Sequence, residues 1–180
     1  MLNFEKLGKK NISFVGLMGS GKSIVAKKIA RLAKLKLYDT DKLIEKEAGH
    51  SIEDIFREKG ENHFRKLEEK IVINVLNQDN CVISLGGGSI LSKNVRKIIE
   101  KNSFSIYLKV DINILSDRLK NSRRPLLVNT NKKEKLIELF NQRKKYYSNS
   151  SLIIENNKNA NQVVEEIINK LKIDEKTNYI

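Results

Sequence analysis

A phosphate-binding loop is the clearest chemical feature of the sequence. Residues 16–23 read GLMGSGKS and match G-x-x-x-x-G-K-[ST] at all four defining positions, between a strand-like segment and a helical one. The glycines let backbone N–H groups converge on phosphate oxygens, and the following helix contributes its positive N-terminal end. In such a loop Lys22 reaches the β- and γ-phosphates, and the hydroxyl of Ser23 ligates Mg²⁺. An ordinary glycine-rich turn is the alternative, but it would not need all four positions.

Two carboxylates stand two residues apart at the end of the next strand-like segment. Asp39 and Asp41 frame Thr40, and side chains two apart on a strand project the same way. One carboxylate could hold Mg²⁺ through water while the other contacts a substrate hydroxyl and accepts its proton. A helix-capping Asp next to a solvated charge is the alternative. A third strand-like segment enters Gly86, Gly87 and Gly88, whose N–H groups could face an anion, although an ordinary turn explains them equally well.

Arginines are scarce, with 8 against 27 lysines, so each one calls for a reason. Arg65 and Arg143 fall on largely apolar helical stripes, where a guanidinium is costly unless an anion meets it. An internal pair of Arg65 with Glu68 is the alternative for the first. Arg124 precedes Pro125 in a polar loop and resembles a mobile arginine over the phosphates, with a solvated charge as the alternative. Bidentate binding of carboxylate or phosphate is the task that favours arginine over lysine.

Strand-like and helical segments alternate along the whole chain, without repeats or linkers. The alternation predicts one domain over residues 1–180, with a parallel sheet covered on both faces and ligands at the carboxyl ends of the strands. The first helix is predicted over 24–33 with Ile24, Val25, Ile29 and Leu32 on one side. A short helix from Ser51 is predicted to end at Gly60 and to be followed by a longer one over 61–77. The predicted strands are 12–15, 35–38, 82–85, 104–110 and 152–154.

The composition excludes several classes of protein. The net charge of +13 suggests nucleic acid, but the lysines are scattered and the aromatic residues do not interleave with them as stacking platforms would. No apolar run approaches the roughly 18 residues that span a bilayer. Cys81 is the single cysteine, which suits a reducing cytoplasm, and its apolar neighbours predict a buried structural thiol. We therefore expect a cytoplasmic protein with neither nucleic acid nor membrane as a partner.

These motifs together resemble the shikimate kinase family, in an order and spacing that cover residues 12–171. The resemblance implies an enzyme that moves the γ-phosphoryl of ATP to the 3-hydroxyl of shikimate, giving shikimate 3-phosphate and ADP on the way to chorismate and the aromatic amino acids. It implies a three-layer α/β/α sandwich of the P-loop, nucleoside-monophosphate-kinase-like kind, with strand order 2-3-1-4-5. The motifs that carry it are residues 16–23, 39–41, 52–56, 60–68, 83–88 and 124–127, and Arg143 with Tyr147.

The same resemblance assigns roles to individual residues. Lys22, Asp41 and Arg124 would be catalytic, while Ser23 and Asp39 would hold Mg²⁺. Substrate-binding helices would cover about 40–68, and a lid about 120–131. The ATP site would comprise Gly19, Ser20, Gly21, Lys22, Ser23, Ile24, Arg118 and Arg124. The shikimate site would comprise Asp41, Arg65, Glu68, Gly86, Gly87, Gly88 and Arg143.

The sequence departs from the family pattern at a few positions. Ile24 stands where a second Thr usually follows the loop, so one possible phosphate contact is missing, and the segment 156–160 on the adenine side is divergent. Another small-molecule P-loop kinase, such as one for gluconate, and a basic nucleic-acid-binding module are the competing functions. The expected partners are ATP and shikimate, and a monomer is expected.

Overall fold

A computed structural model of the protein describes residues 7–122 and 124–171, and every structural statement below concerns these residues. Five strands form one sheet in which all neighbours are parallel. They are β1 Asn11–Val15, β2 Lys36–Asp39, β3 Cys81–Ser84, β4 Ser103–Lys109 and β5 Leu152–Glu155. Their order in the sheet is β2-β3-β1-β4-β5, which confirms the order that the resemblance implied.

Seven helices occupy the described part of the chain. They are α1 Lys22–Leu32, α2 Thr40–Ala48, α3 Ile52–Leu76, α4 Lys93–Asn102, α5 Ile112–Arg118, α6 Lys132–Tyr147 and α7 Ala160–Leu171. Helix α3 begins at its N-cap Ser51 and is kinked at Gly60, where φ is 75°. The predicted division into a short and a longer helix is therefore confirmed as a kink.

Both faces of the sheet are covered, which makes three layers. In β1, Phe14 packs with Val25 of α1 and Val163 of α7. The next residue, Val15, belongs to the cluster on the opposite face, with Val72 of α3 and Leu136 of α6. Successive residues of a strand face opposite sides, so one short apolar strand supplies both cores. A smaller apolar cluster joins α2 to the two halves of α3 around Ile44, Ile55 and Phe64.

The predicted buried side of α1 is wrong at its two ends. Ile24 is 58 % exposed and Leu32 is 43 % exposed. Helix α1 begins inside the phosphate loop at Lys22, whose side chain turns back into that loop, and this start determines which side of the helix meets the sheet. Two alanines on the buried side let the helix approach closely. The residues that α1 buries are Lys22, Val25, Ala26, Ile29 and Ala30.

The carboxyl ends of the strands lie along one edge of the sheet. The phosphate loop follows β1, Asp39 ends β2, the glycine triplet comes just after β3 and Asn156 follows β5. Because the strands are parallel, these segments meet there. Cys81 lies at the opposite end of β3, is buried and free, and has a pKa that burial raises to about 11, as expected for a structural thiol. Within the described residues, no helix is both long enough and apolar enough to cross a bilayer.

Candidate active site

The phosphate loop has a backbone that needs its glycines. Gly16, Gly19 and Gly21 have φ values of 145°, 77° and 86°, a region that side-chain-bearing residues rarely adopt. A Cβ on Gly16 would also lie 2.7 Å from the carbonyl oxygen of Leu108. Within residues 7–122 and 124–171, no acceptor is hydrogen-bonded to the N–H groups of Gly21, Lys22 and Ser23. These groups are available to an anion.

The Lys22 ammonium is held inside the loop. Its side chain is almost fully buried, and Nζ donates to the carbonyl oxygens of Gly16 and Leu17, both at 2.9 Å. Burial lowers the pKa of Lys22 to about 8, although the negative charge of Asp41 opposes the shift. Burial thus disfavours the charged form, and a phosphate group in the loop would favour it.

Ser23 and Asp39 line one small cleft beside the loop. The hydroxyl of Ser23 is 3.2 Å from that of Ser84, the last residue of β3. Asp39 caps α2 because one of its carboxylate oxygens accepts from the backbone N–H of Lys42 at 3.4 Å. The capping alternative is therefore correct for Asp39, but its second oxygen has no donor within the described residues. Hydroxyl and carboxylate oxygens are the ligands that Mg²⁺ prefers, so the donor set fits that ion.

Asp41 occupies the first turn of α2 and opens into a different, larger cavity. Burial raises its pKa; Lys22 opposes the shift, while Asp39 and Glu68 add to it. No hydrogen bond joins the Asp41 carboxylate to another group in the described chain. It is thus a free carboxylate with an increased affinity for a proton.

The cavity beside Asp41 has a volume of about 450 Å³. It lies between the phosphate loop, α2, the first half of α3, the glycine triplet, the segment around Arg124, and Arg143 of α6. Several apolar side chains line it that the sequence did not single out as site residues, although Ile52 and Phe56 have the i, i+4 spacing of one helical face. The apolar lining residues are Met18, Ile52, Phe56, Phe64, Pro125 and Leu126.

The glycine triplet forms the floor of this cavity, and its glycines are needed for space. None of the three has a positive φ. A Cβ on Gly86 would meet Glu68 Oε1 at 2.5 Å and Asp41 Oδ1 at 2.8 Å. The N–H of Gly86 is already used, since it donates to the hydroxyl of Thr40 at 2.9 Å. Of the three predicted donors, only those of Gly87 and Gly88 have no acceptor in the described residues.

Arg65 is paired with carboxylates of its own helix. Its Nη1 donates to Glu68 at 2.6 Å and its Nη2 donates to Glu61 at 2.9 Å. Glu68 is itself buried and accepts from the hydroxyl of Ser89 at 2.8 Å. The internal pair that was the alternative for Arg65 is therefore present, and a second carboxylate joins it. Arg65 lines the cavity, but its charge is already balanced.

Arg143 lines the same cavity but, unlike Arg65, has no carboxylate partner within the described residues. Its side chain is 2 % exposed, and Nη1 donates to the carbonyl oxygen of Gly87 at 3.2 Å. Its Nε is buried with no hydrogen-bond partner, and no Asp or Glu of the described chain forms an ion pair with it. Tyr147, one turn further along α6, also donates to Gly87, at 2.6 Å. A buried guanidinium without a counter-charge is costly, and an anion in the cavity would relieve that cost.

The segment that carries Arg124 lines one side of the cavity. Arg124 is exposed and lines the cavity, while Leu127 in the following short 3₁₀ turn is buried in the main core. Lys132 at the start of α6 donates to the carbonyl oxygens of Leu119 at 3.3 Å and Ser122 at 3.1 Å. The described part of the segment is thus held at its base, at Leu127 and at Leu126, which packs against the same core. Arg123, part of the predicted lid, lies outside the described residues.

Arg118 contacts the base of the phosphate loop. Its Nη1 donates to the carbonyl oxygen of Gly19, and its Nη2 to that of Asn156, both at 3.3 Å. Ile24 points away from these groups into the small cleft that Ser23 and Asp39 share. The structure therefore places Arg118 beside the loop, and the expected contributions of Arg118 and Ile24 to ATP binding stay predictions.

Comparison with known sequences shows the family of this chain. A sequence model described as shikimate kinase matches residues 18–172. A shikimate kinase of Sulfurihydrogenibium sp. is 44 % identical over 165 residues, which cover 91 % of this chain and 98 % of the relative. One of Persephonella marina is 42 % identical, with 91 % and 99 % covered. The chain belongs to the shikimate kinase family.

Solved structures of the shikimate kinase family have the same fold. The enzyme of Acinetobacter baumannii in complex with shikimate has a TM-score of 0.87 and 29 % identity, covering 94 % of this chain and 96 % of its own. The shikimate kinase of Aquifex aeolicus has a TM-score of 0.80 and 32 % identity, covering 90 % and 96 %. A gluconokinase of Sinorhizobium meliloti, 17 % identical with a TM-score of 0.58, shares the fold alone.

Most residues expected from the shikimate kinase resemblance come together in two adjoining sites. Asp41, Arg65, Glu68, the triplet, Arg124 and Arg143 line the cavity, and Lys22 and Ser23 lie in the loop beside it. The two sites touch at Gly87, where a Cβ would be 3.1 Å from the carbonyl oxygen of Gly16. Three buried polar contacts were not predicted as part of the site, because each joins segments far apart in sequence. They involve Thr40 with Gly86, Ser89 with Glu68, and Asn156 with Ser20.

Proposed function

We propose that this protein is a shikimate kinase, which transfers the γ-phosphoryl of ATP to the 3-hydroxyl of shikimate in the synthesis of chorismate and the aromatic amino acids. The observation that carries the proposal is that Arg143 and Asp41 line the same cavity. Within the described residues, Arg143 is a buried cation without an ion-pair partner, and Asp41 is a half-buried carboxylate that accepts no hydrogen bond. A substrate with a carboxylate and hydroxyl groups complements both.

The carboxylate of shikimate would bind at Arg143, with the N–H groups of Gly87 and Gly88 nearby. Arg65 is already paired with Glu61 and Glu68, so it would contribute a hydrogen bond more than a net charge. Apolar side chains around the cavity, such as Phe56 and Phe64, would cover the ring of the substrate. This arrangement puts the hydroxyl end toward Asp41 and the phosphate loop.

Phosphoryl transfer would take place where the cavity meets the loop. Asp41 would accept the proton of the attacking hydroxyl, and the hydroxyl oxygen would form its bond to the γ-phosphorus as the bond to the ADP oxygen breaks. Lys22 and the free N–H groups of the loop would bind the phosphates and stabilise the charge that moves onto ADP. Arg124 would add a second cation from the opposite side.

Magnesium would bind at Ser23 and Asp39, whose oxygen atoms fit it. Bound there, the ion would supply positive charge that offsets the negative charge of the phosphates. Ser84 would orient the Ser23 hydroxyl, since the two hydroxyl groups are 3.2 Å apart. The capping bond of Asp39 to Lys42 N–H would orient its carboxylate.

A substrate panel tests the proposal. Release of ADP, measured with a coupled assay, should be fast with shikimate and near background with gluconate and with nucleoside monophosphates. Equal or greater turnover with gluconate would contradict the assignment and favour another small-molecule kinase of the same fold. The Lys22→Ala variant serves as the control for contaminating kinases, because it removes the cation from the transferred group.

The two arginines supply a sharper test of how the substrate binds. Arg143→Lys should weaken shikimate binding by about 1–3 kcal/mol, since lysine cannot reproduce the planar fork of the guanidinium. Arg65→Lys is the matched comparison and should lose less, because its partners remain on α3. Binding of ADP should change little in either variant. Isothermal titration with each ligand measures these effects, and equal losses of ADP and shikimate binding would place Arg143 outside the substrate site.

We further propose that the protein works as a monomer in the cytoplasm, with ATP and shikimate as its partners. Both sites are built from one chain, so catalysis requires no second copy. Light scattering after gel filtration measures the mass directly. Any binding to nucleic acid should be weak and should disappear as salt is raised, as expected for unspecific contacts of scattered lysines.

A further inference from the structure

We propose that Asn156 is a positioning residue for the phosphate loop, holding its backbone in the state that binds nucleotide. The inference rests on the proposed function only in that residues 16–23 bind a nucleotide. Asn156 comes directly after β5 and is 4 % exposed. Its Nδ2 donates to the carbonyl oxygen of Ser20 at 2.6 Å, and its own backbone N–H donates to Lys109 at 2.7 Å. The backbone of Asn156 is therefore anchored at the end of β4, and its side chain reaches into the loop.

This contact decides which way one peptide of the loop points. The peptide between Ser20 and Gly21 is planar and trans, so its C=O and N–H point in opposite directions. Asn156 holds the C=O away from the cradle, and the N–H of Gly21 must then face into it. Within the described residues that N–H has no acceptor, and Asn156 is the one donor to the Ser20 oxygen. One side chain thus orients a phosphate-binding N–H group to which it is not itself hydrogen-bonded.

The glycines of the loop explain why such an anchor is needed. Gly21 has a φ of 86° and can rotate into other states that a residue with a side chain could not reach. Asn156 also packs directly on it, since a Cβ at Gly21 would lie 2.8 Å from Nδ2. Arg118 joins the same two segments by bridging the carbonyl oxygens of Gly19 and Asn156. Two successive loop carbonyls are thereby tied to the end of β5.

Calorimetric titration of ADP into single variants tests this role. Asn156→Ala should weaken ADP binding about 5- to 100-fold, the range expected when a buried carbonyl loses its partner. Asn156→Asp should weaken it further, because a carboxylate cannot donate and adds negative charge beside the phosphates. Asn94→Ala is the matched control, because the Nδ2 of this exposed residue donates to Glu69 at 2.8 Å outside both sites. It should bind ADP as the unchanged protein does.

Kinetics separate positioning from general support of the fold. In Asn156→Ala the KM for ATP should rise while the KM for shikimate stays within about twofold, because the cavity around Asp41 lies on the other side of the loop. Equal losses for both substrates, or ADP affinity unchanged in both variants, would overturn the proposal. Asn156→Ser keeps a donor on a shorter side chain and covers the case in which the other variants do not fold. Its ADP affinity should fall below that of the unchanged protein, and an unchanged value would also overturn the proposal.

The ADP titration does not depend on the identity of the phosphate acceptor. A protein that failed to phosphorylate shikimate but still lost ADP affinity on Asn156→Ala would contradict the proposed function and support this inference. If the protein phosphorylates shikimate and the Asn156→Ala variant binds ADP as tightly as the unchanged protein, the proposed function is supported and this inference is contradicted.

Discussion

At the scale of single residues, burial makes Lys22 sensitive to pH in the range where enzymes are assayed. Its pKa is about 8 without nucleotide, mainly because the ammonium is desolvated, compared with 10.5 for a free lysine. Since the folded-state value is the lower one, the charged side chain costs stability below pH 8. That cost is relieved between pH 8 and pH 10.5, so this group contributes a rise in stability over that interval.

This pKa predicts how nucleotide use depends on pH. The kcat/KM for ATP reports the free enzyme, and it should fall above about pH 8 as Lys22 loses its proton. The decrease above about pH 8 should be smaller in kcat than in kcat/KM, because bound phosphate raises the pKa of Lys22. Initial rates between pH 6 and pH 10 measure both. An active Lys22→Arg variant should not show this decrease in kcat/KM. The same decrease in that variant would mean that another group titrates.

Asp41 is the second residue for which burial predicts chemistry. Its raised pKa makes the carboxylate a better proton acceptor, so Asp41→Asn should lower kcat by about 10²- to 10⁴-fold while shikimate still binds. A change confined to the KM for shikimate would make Asp41 a substrate ligand only. Asp39→Asn is the comparison on the same turn and should raise the Mg²⁺ requirement, with partial recovery in excess metal. Steady-state rates at varied shikimate and Mg²⁺ distinguish these outcomes.

At the scale of elements, the segment 120–131 is attached at few points. Its apolar anchors are Leu127 in the core and Leu126 packed against it, and its base is held by Lys132, which donates to carbonyl oxygens just after α5. Arg124 is exposed and forms no ion pair in the described chain. A segment with so few buried contacts opens readily, whereas charge beneath it would favour closure.

These contacts predict a lid that closes over both substrates. Amide exchange in this segment should slow most when ADP and shikimate are bound together, and less with either alone. Arg124→Ala should reduce turnover at least about tenfold through loss of a cation near the transferred group, with an unchanged melting temperature. Exchange mass spectrometry and steady-state kinetics are the measurements. Strong protection of the segment without ligands would mean that no lid exists.

At the scale of the whole molecule, charge is the least balanced property. The 35 basic and 22 acidic residues leave +13, and most lysines are exposed. Repulsion among like charges destabilises a compact state, and salt screens it over about 10 Å at 0.1 M. The melting temperature should therefore rise by a few degrees between about 20 mM and 200 mM NaCl. Scanning calorimetry without phosphate or sulfate, which would bind the loop, measures this. A falling melting temperature would show that favourable ion pairs outweigh the repulsion.

The sequence by itself determined the features that depend on neighbours along the chain. The phosphate loop, the aspartates at 39 and 41 and the glycine triplet each lie within a few residues, and the chemistry of each follows from types and spacing. The alternation of strands and helices was sufficient for a parallel α/β layer structure, because parallel strands need crossover connections. The strand order came with the family resemblance, and the structure agrees with it.

Only the tertiary structure decided how these groups are balanced against one another. Asn156 meets Ser20 across 136 residues, and no local pattern indicates such a contact. Arg65 and Arg143 looked alike on their helical stripes, yet one is paired with two carboxylates and the other with none. Ile24 looked buried by periodicity and is exposed. Charge balance and burial depend on which distant segments the fold brings within a few ångströms of each other. Contacts between such segments form only in the folded state, so the local sequence does not indicate them.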